Sequence, residues 1–523
     1  MQLQFFEKIP PEVKFAIEEL QKNSFEAYIV GGCVRDLLRG VKPDDWDVAT
    51  SAKPEAIQKV FLNNYSDNKF GTIKVRIEKA AAPPRKKTGG GLKKNAESKT
   101  EEKMERKMEY FEIEITPYRI ESEYRDLRHP DKVEWAQNIE DDLSRRDFTV
   151  NAIALSYSMN DNAPQIEVID SFGGQKDLKN KIIKAVRDPN ERFSEDALRL
   201  MRAARLAITL GKGWVIALET GEAIKKKAAL LDNISKERIR DEFVKIMASD
   251  RADEGIELLR EFGLLKYIIP EIEEGYSVGQ NKHHIYDIYK HSLYSLRYAT
   301  KAGFNIHVKI AALLHDVGKP RVKQGDGPDA TFYNHEVVGA KMAREILARL
   351  KFPKKDADKI VKLVRYHLFY YNVGEVGESS IRRLVRKVGT ENVDELLQVR
   401  MADRIGSGCP KAEPYKLRHM RYLIEKTAKD AISVKMLKVN GGDVMATLKI
   451  QPGPKVGMIL DVLLGWVLDN PEKNERPDLL AKIKELGKLS ESALAKTAED
   501  AEKEKDALET KRDAMTKKKY WVT

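Results

Sequence analysis

The sequence predicts an α+β protein: a small N-terminal α/β unit followed by a long, mostly helical remainder. Three observations carry this. Strand-like stretches at 27–30, 70–77 and 110–120 fall in the first quarter of the chain, with helical patterns between them. From residue 208 onward helical periodicity dominates. The chain has 523 residues, enough for three or more domains with cores of their own.

Residues 11–23 read as an amphipathic helix with Val13, Ile17 and Leu20 on one face. The apolar run Tyr28-Ile29-Val30 then meets Gly31-Gly32, followed by the short helical pattern CVRDLLRG that Gly40 closes. Glycines between a strand and a helix start let backbone N–H groups approach phosphate oxygens where the helix dipole favours negative charge. Next come Asp45-Trp46-Asp47; residues i and i+2 of an extended strand share a face, so both carboxylates point one way. Two like charges so close call for a cation between them, and Mg²⁺ prefers carboxylate oxygens together with substrate phosphates. Alone, a glycine pair is a turn and a DxD pair a solvated surface feature; their order and spacing together describe a metal-bound triphosphate site.

SAKPEAIQKVF reads as a helix with a Ser or Thr cap and Pro54 in its first turn. FGTIKVRI (70–77) alternates as a strand, and its expected partner YFEIEITPYRI (110–120) carries Glu112 and Glu114 on one face. Glu114 is either a third acidic group reaching toward Asp45 and Asp47 or one of a pair on an exposed face. The insert between these strands, 79–108, has almost no large apolar residues and reads as a mobile, low-complexity loop. In DDLSRRDFTVNAIAL (141–155), Arg145, Arg146, Asp147 and Asn151 are suited to a nucleotide's phosphates and sugar. A helix capped by Ser194 is expected to align Asp196, Arg199, Arg202 and Arg205 on one stripe, as a salt-bridge ladder or as a base-reading surface. SKERIRDEFVKIM (235–247) reads as a core helix.

Seven of the nine histidines fall between His283 and His367, a clustering that marks a second site. It comprises His284, His291, the adjacent His315-Asp316, His335, His367 and Asp403. Imidazole plus carboxylate suits Mn, Fe, Ni or Zn more than Ca. Near the C-terminus, Pro454 before Lys455 and Val456 marks a helix start, and beyond 488 the composition fits a solvated helix or a disordered extension ending in Tyr520-Trp521-Val522.

A net charge of +11 and a pI near 9.1 suit a polyanionic partner, with RNA the expected one. Only Cys33 and Cys409 occur, which excludes a disulfide framework or a cysteine zinc cluster and fits a reducing cytoplasm. The N-terminus lacks a signal-peptide core, and VGMILDVLLGWVL is broken by Asp461 and too short for a bilayer, so no membrane association is expected.

The wording GGCVRDLLRG…DDWDVATSAKPE resembles the nucleotidyltransferase superfamily of the DNA polymerase β type. Within it, the chain is similar to the class II CCA-adding tRNA nucleotidyltransferases and bacterial poly(A) polymerases. EITPYR matches that family's EVTTFR at Glu114, YRDLRHPDKVEW its flexible-loop wording, and RRDFTVNA its ribose-contacting motif. The match continues from Asp170 to Ala207 and includes an intact EDxxR motif, Glu195-Asp196…Arg199, which selects the base in the family. Residues 276–410 resemble an HD-domain phosphohydrolase, whose core set corresponds to His291, His315, Asp316 and Asp403, with His335 and His367 matching ligands that two-metal members add.

The resemblance implies a nucleotidyltransferase head with a mixed sheet (1–155), a neck and body (156–275), an HD domain (276–410), a tRNA-binding tail (411–487) and a charged extension (488–523). It further implies addition of C, C and A to a tRNA 3′ end from CTP and ATP. Mg²⁺ on Asp45 and Asp47 would serve catalysis with Glu114, and a divalent transition metal of unknown identity would occupy the HD site. Gly31, Gly32, Arg35, Arg146, Asp147 and Asn151 would hold the nucleotide, and Asp196, Arg199, Arg202 and Arg205 would line its base. The base choice has a physical logic. Cytosine and adenine each present an amino donor beside a ring-nitrogen acceptor, complementary to a carboxylate beside a guanidinium; guanine and uracil oppose both groups. The alternatives are a poly(A) polymerase, an enzyme adding only CC or only A, and an HD phosphohydrolase whose head merely binds RNA. KFGTIKV is closer to the HGTV wording of CCA-adding members than to the poly(A) polymerase GRRFRL.

Overall fold

The computed structural model describes residues 7–66, 71–78, 110–122, 132–160, 163–281, 285–428 and 434–522. The expected insert, the loop YRDLRHPD (124–131) and His284 lie outside the described residues. The chain forms two compact units, Met1–Val361 and Lys362–Thr523; the boundary falls inside the 276–410 stretch.

The first unit begins with the helix Pro11–Lys22, which has Pro11 in its first turn and buries Val13, Ala16, Ile17 and Leu20. Nine strands follow: β1 (Ala27–Val30), β2 (Asp47–Thr50), β3 (Asn64–Ser66), β4 (Ile73–Glu78), β5 (Tyr110–Pro117), β6 (Arg119–Ser122), β7 (Lys132–Trp135), β8 (Ala154–Asn160) and β9 (Ala163–Ile169). Seven of them make one sheet in the order β3-β4-β5-β2-β1-β8-β9, and β6 pairs with β7 separately. The β2–β5 pair is parallel and the other neighbours are antiparallel, giving the mixed sheet.

Alternation within the strands explains how this sheet holds its position. Ile29, Trp46, Val48, Ile73, Val75, Ile113, Ile115 and Leu155 pack into one core with the first helix. Val30, Ala49 and Ala154 face the other core with Tyr118, Ile139 and Leu143. Trp46, between the two aspartates, is buried, so the intervening side chain anchors β2 from the face opposite the Asp47 carboxylate.

Three local expectations are corrected. The helix Pro54–Val60 follows Lys53 and has no side-chain cap; Ser51 accepts a hydrogen bond from Glu26 N and Thr50 donates one to Glu26 O, so both hydroxyls tie β2 to the start of β1. The strand expected over 110–120 breaks at buried Tyr118, after which β6 leaves the main sheet to pair with β7. The single helix expected to carry Asp196 and Arg199 is two helices, Pro189–Glu195 and Leu198–Thr209, with Asp196 extended between them (φ −136°, ψ 103°). Asp188, not Ser194, caps the first of these through Asn190 N, while Asp196 Oδ1 accepts from Leu198 N (3.1 Å). A carboxylate that bonds the backbone two residues on competes with continuous helix, so Asp196 does not share a helical stripe with Arg199, Arg202 and Arg205.

Beyond β9 the unit is mostly helical, with one short parallel pair, β10 (Ile182–Ile183) and β11 (Val215–Ile216); its helices include Leu218–Lys227, Lys236–Ala248, Ala252–Glu261, Ile288–Lys301, Ile306–Leu314 and His335–Arg349. The buried Lys309 donates to Ala248 O and Ser249 O (3.4 and 2.9 Å), the C-terminal carbonyls of Lys236–Ala248.

The second unit is helical among its described residues. Val444, Ile459, Leu463, Leu479, Ile483 and Leu494 lie in its core. Helix Pro454–Asp469 starts at its proline as expected. The low-complexity C-terminus forms the helix Glu491–Tyr520, capped by Ser490 and anchored at its far end where Tyr520 donates to Glu425 (2.7 Å). Val522 is buried, whereas Trp521 is exposed. Among the described residues no helix is long and apolar enough to cross a membrane.

Candidate active site and metal-binding cluster

Asp47 opens β2 opposite Val30 at the end of β1 and beside Glu114 within β5, so the sheet register sets the two carboxylates on neighbouring strands. Gly31 follows Val30 directly and adopts φ 81°, ψ −140°, a conformation open to glycine. A Cβ there would lie 2.9 Å from Arg146 Nη1 and 3.1 Å from Asp47 Oδ2, so Gly31, Asp47 and Arg146 converge. Burial pushes the Asp47 carboxyl up to about 6; Arg146 opposes the shift, while Glu114 and the exposed Asp45 add to it. Glu114 is half-exposed and pairs with Lys74 (3.2 Å). Asp45 and Glu114 are near enough to act on the Asp47 carboxyl, and carboxylate oxygens are the ligand type that oxygen-loving divalent cations prefer. The neighbouring Cys33 is buried against Val30 O (3.0 Å), which pushes its thiol up to about 12.

Arg146 owes its direction to Asp142. That carboxylate is buried and takes Arg145 on one oxygen (2.7 Å) and Arg146 on the other (3.0 Å). Burial alone would raise its pKa, but the two guanidinium groups outweigh it and hold it below the usual carboxylate range. Arg35 lies along its own helix start, Gly32–Leu38, with its guanidinium 3.6 Å from where a Gly32 Cβ would stand. Its Nη1 donates to Asn151 Oδ1 (2.8 Å), so these two predicted residues are brought together.

Asp147 is a brace. Its carboxylate accepts from Phe148 N (2.8 Å), Asn151 Nδ2 (3.0 Å) and both Nε and Nη2 of Arg202 (2.8 and 2.6 Å). Burial is outweighed by Arg202, and its pKa falls far below the carboxylate range. Arg202 is thereby tied to the RRDFTVN turn, and Arg205 pairs with the buried Glu242. Arg199 donates to Glu195 (2.7 Å), Arg192 O (3.1 Å) and Arg145 O (2.8 Å). Asp196 Oδ2 accepts from Arg238 Nη2 (2.7 Å).

The second cluster is assembled on three helices of the first unit. His291 Nε2 lies 2.8 Å from His315 Nε2 and 3.0 Å from Asp316 Oδ2, and these three residues are close enough to share one ion. His335 Nε2 approaches Asp316 Oδ1 (3.3 Å). The Nδ1 of His315 bonds Ala312 O and that of His335 bonds Phe332 O, both at 2.8 Å. Nδ1–H donation to a carbonyl leaves Nε2 with its lone pair, the state a metal needs, so this donor set fits a divalent transition metal. Asp316 is held well below its usual range, with burial outweighed by His315 and Lys319. In the second unit, His367 is buried with Nδ1 on Val364 O (2.7 Å), and Asp403 accepts from Arg400 (2.6 Å).

Residues 27–83 and 84–184 match the Poly A polymerase head domain, 214–275 the probable RNA and SrmB-binding site of polymerase A, and 288–407 the HD domain. An A-adding tRNA nucleotidyltransferase of Deinococcus radiodurans is 31% identical over 84% of this chain and 90% of its own length. The chain belongs to the family of CCA-adding tRNA nucleotidyltransferases and poly(A) polymerases. A CCA-adding enzyme of Ligilactobacillus salivarius is 40% identical over 50% of this chain, and the match spans about half (56%) of that relative. The crystal structure of the Bacillus stearothermophilus CCA-adding enzyme in complex with CTP aligns with TM-score 0.52 and 25% identity, covering 91% of this chain and 98% of that one.

Within this nucleotidyltransferase fold, sequence reasoning missed residues that aim the others: Asp142 behind Arg146, Arg238 behind Asp196 and Glu242 behind Arg205. The i, i+3 and i, i+4 spacing of Asp142 to Arg145 and Arg146 carried a signal. Arg238 carried none, because it lies 42 residues from its partner.

Proposed function

We propose that the chain adds CMP and AMP from CTP and ATP to the 3′ end of tRNA, completing the CCA sequence. The observation that carries this is the in-register Asp47 and Glu114 pair beside Gly31 and Arg146. Two Mg²⁺ ions held by Asp45 and Asp47, with Glu114 beside them, would supply Lewis-acid polarisation of the reacting phosphoryl group. The chain's own residues do the rest. Gly31 lacks the Cβ that would press on Arg146 and Asp47, so its backbone N–H and Arg146, braced by Asp142, would meet the phosphates. Arg35, steadied by Asn151, lines the helix start. Asp196 supplies an acceptor and Arg199 a donor for the amino group and ring nitrogen shared by cytosine and adenine. Arg202 and Arg205, paired with Asp147 and Glu242, hold the helix that carries Arg199.

A tRNA ending before CCA, incubated with each labelled nucleotide, tests the reading: CTP followed by one ATP should be incorporated. A second reading, addition of the terminal A alone, is favoured by the Deinococcus A-adding relative, which aligns over most of the chain. It predicts incorporation only on tRNA already ending in CC. Long A tails would instead mark a poly(A) polymerase. The His291, His315, Asp316 and His335 cluster is proposed to bind a divalent transition metal and to hydrolyse phosphate esters. Two free thiols and no disulfide among the described residues accord with a cytoplasmic setting.

A further inference from the structure

Lys319 is a buried lysine whose ammonium lies 2.6 Å from Asp316 Oδ2, the oxygen that His291 and His315 also approach. Its other hydrogen bond goes to Gln280 Oε1 (2.7 Å), and the Phe332 ring lies 5.6 Å beneath it. The backbone carrying it is pinned. A Cβ on Gly318 would meet His335 O and Gly339 N at 2.5 Å, so the turn before Lys319 presses against helix His335–Arg349 with no room to withdraw. The turn that carries the lysine is therefore packed tightly against that helix.

We infer that Lys319 makes cation occupancy of this cluster depend on a phosphoryl anion. The inference rests on the cluster being a divalent-metal site. A metal ion taking Asp316 Oδ2 competes with the ammonium for the oxygen that Lys319 holds and sets a second positive charge beside it. An ammonium left inside the protein without an anionic partner is costly, and a phosphoryl oxygen bound beside the metal replaces the lost one. Lys319 and the metal then grip the same anion from two sides. Metal alone binds weakly, phosphate alone binds weakly, and each strengthens the other by the same factor. The residue is a selectivity device: it disfavours a bare cation and favours a cation that arrives with, or finds, a phosphate-bearing ligand.

The test is calorimetric titration of Mn²⁺ into the full-length chain carrying Asp45→Asn and Asp47→Asn, so that head binding does not contribute, with and without inorganic phosphate. His315→Ala in that background identifies which binding event belongs to the cluster. With Lys319 present, phosphate should tighten Mn²⁺ binding about tenfold. In Lys319→Met, Mn²⁺ alone should bind about tenfold tighter than in the parent, and phosphate should add less than about twofold. Lys319→Gln should behave like Lys319→Met and serves if the methionine variant does not fold, as judged by its circular-dichroism melt. If no Mn²⁺ event is lost in His315→Ala, the metal reading itself fails and the inference with it. If a His315-dependent event exists but responds to phosphate equally with and without the ammonium, or weakens when the ammonium is removed, Lys319 is a structural brace and the inference alone is overturned.

Discussion

Gly31→Ala is the sharpest perturbation of the head, because a second glycine supplies its control. Gly31 has φ 81° and Gly40 φ 79°, so alanine strains the backbone at both. At Gly40 the new methyl meets nothing within 4 Å, whereas at Gly31 it meets Arg146 Nη1 at 2.9 Å and Asp47 Oδ2 at 3.1 Å. Backbone strain of this kind costs about 1–3 kcal/mol, so both variants should lose stability by roughly that amount in urea titrations. Only Gly31→Ala should disarrange the site. The methyl must move the Arg146 guanidinium by a few tenths of an ångström or more, and that guanidinium is already pinned through Nε and Nη2 to Asp142, so Asp47 or the glycine backbone has to give as well. A misplacement of about 1 Å in a preorganised site lowers kcat/KM by about 100-fold, so the loss here should reach toward roughly that figure. Single-turnover incorporation of labelled CMP and AMP into tRNA, compared between the two variants at matched folded fraction, reads the difference. If Gly40→Ala and Gly31→Ala lose activity in parallel, or if Gly31→Ala retains full activity, the space in front of Gly31 is not where phosphate sits.

Other outcomes follow from the same geometry. Because burial raises the Asp47 carboxyl to about 6 in the ion-free head, cation binding there competes with a proton. Mg²⁺ affinity should be flat above pH 6 and fall about tenfold per unit below it, measured by titration at pH 5 and 7.5. The sign for stability is opposite: the raised folded-state pKa means that ion-free folding is favoured as pH falls from about 6 toward the unfolded value of 3.8, which thermal melts in chelator should show. Asp142→Ala leaves two arginines without their buried partner and should cost about 3–5 kcal/mol in urea unfolding, with loss of incorporation even where the chain remains folded. Cys33 is buried with its thiol pushed up to about 12, so Ellman's reagent at pH 8 should titrate Cys409 alone in the native chain and both thiols in urea.

The sequence was most informative where chemistry is written into adjacent residues. Strand alternation assigns faces, and the register sets Asp47 of β2 beside Glu114 of the adjacent β5, whereas Asp45 lies in the bend before β2 and does not share that strand's face. The sequence was least informative about where long side chains point. Asp147 looked like a nucleotide contact, yet its carboxylate is engaged by Phe148 N, Asn151 and Arg202. Nothing local in RRDFTVN reveals an arginine 55 residues on. The helix stripe through Asp196 failed for a backbone reason: aspartate readily bonds its own downstream N–H, and here that contact wins over continued helix. The C-terminal extension was ambiguous because a solvated helix and a disordered tail share a composition; a few anchors, such as Leu494 and Tyr520, decide for the helix.

The interruption at Asp196 makes sense as preorganisation. A carboxylate offers about four lone-pair sites and a guanidinium five donors, so neither is exhausted by one partner. Arg238 and Leu198 N fix Asp196 through one contact on each oxygen, and Glu195, Arg192 O and Arg145 O fix Arg199 from behind. The capacity left over then has a defined direction before any base arrives. On the reading proposed for this site, a base whose edge complements that direction needs no rearrangement, while guanine or uracil must break an Arg238 or Glu195 contact to avoid opposed dipoles. Such discrimination requires rigidity as much as residue identity. Arg238→Gln, which leaves Asp196 in place but loosens it, should therefore narrow the preference for CTP and ATP over UTP and GTP by about 10-fold or more, from the loss of one charge-assisted hydrogen bond. Equal slowing of all four nucleotides would show that Arg238 supports the fold and that the letter is chosen elsewhere.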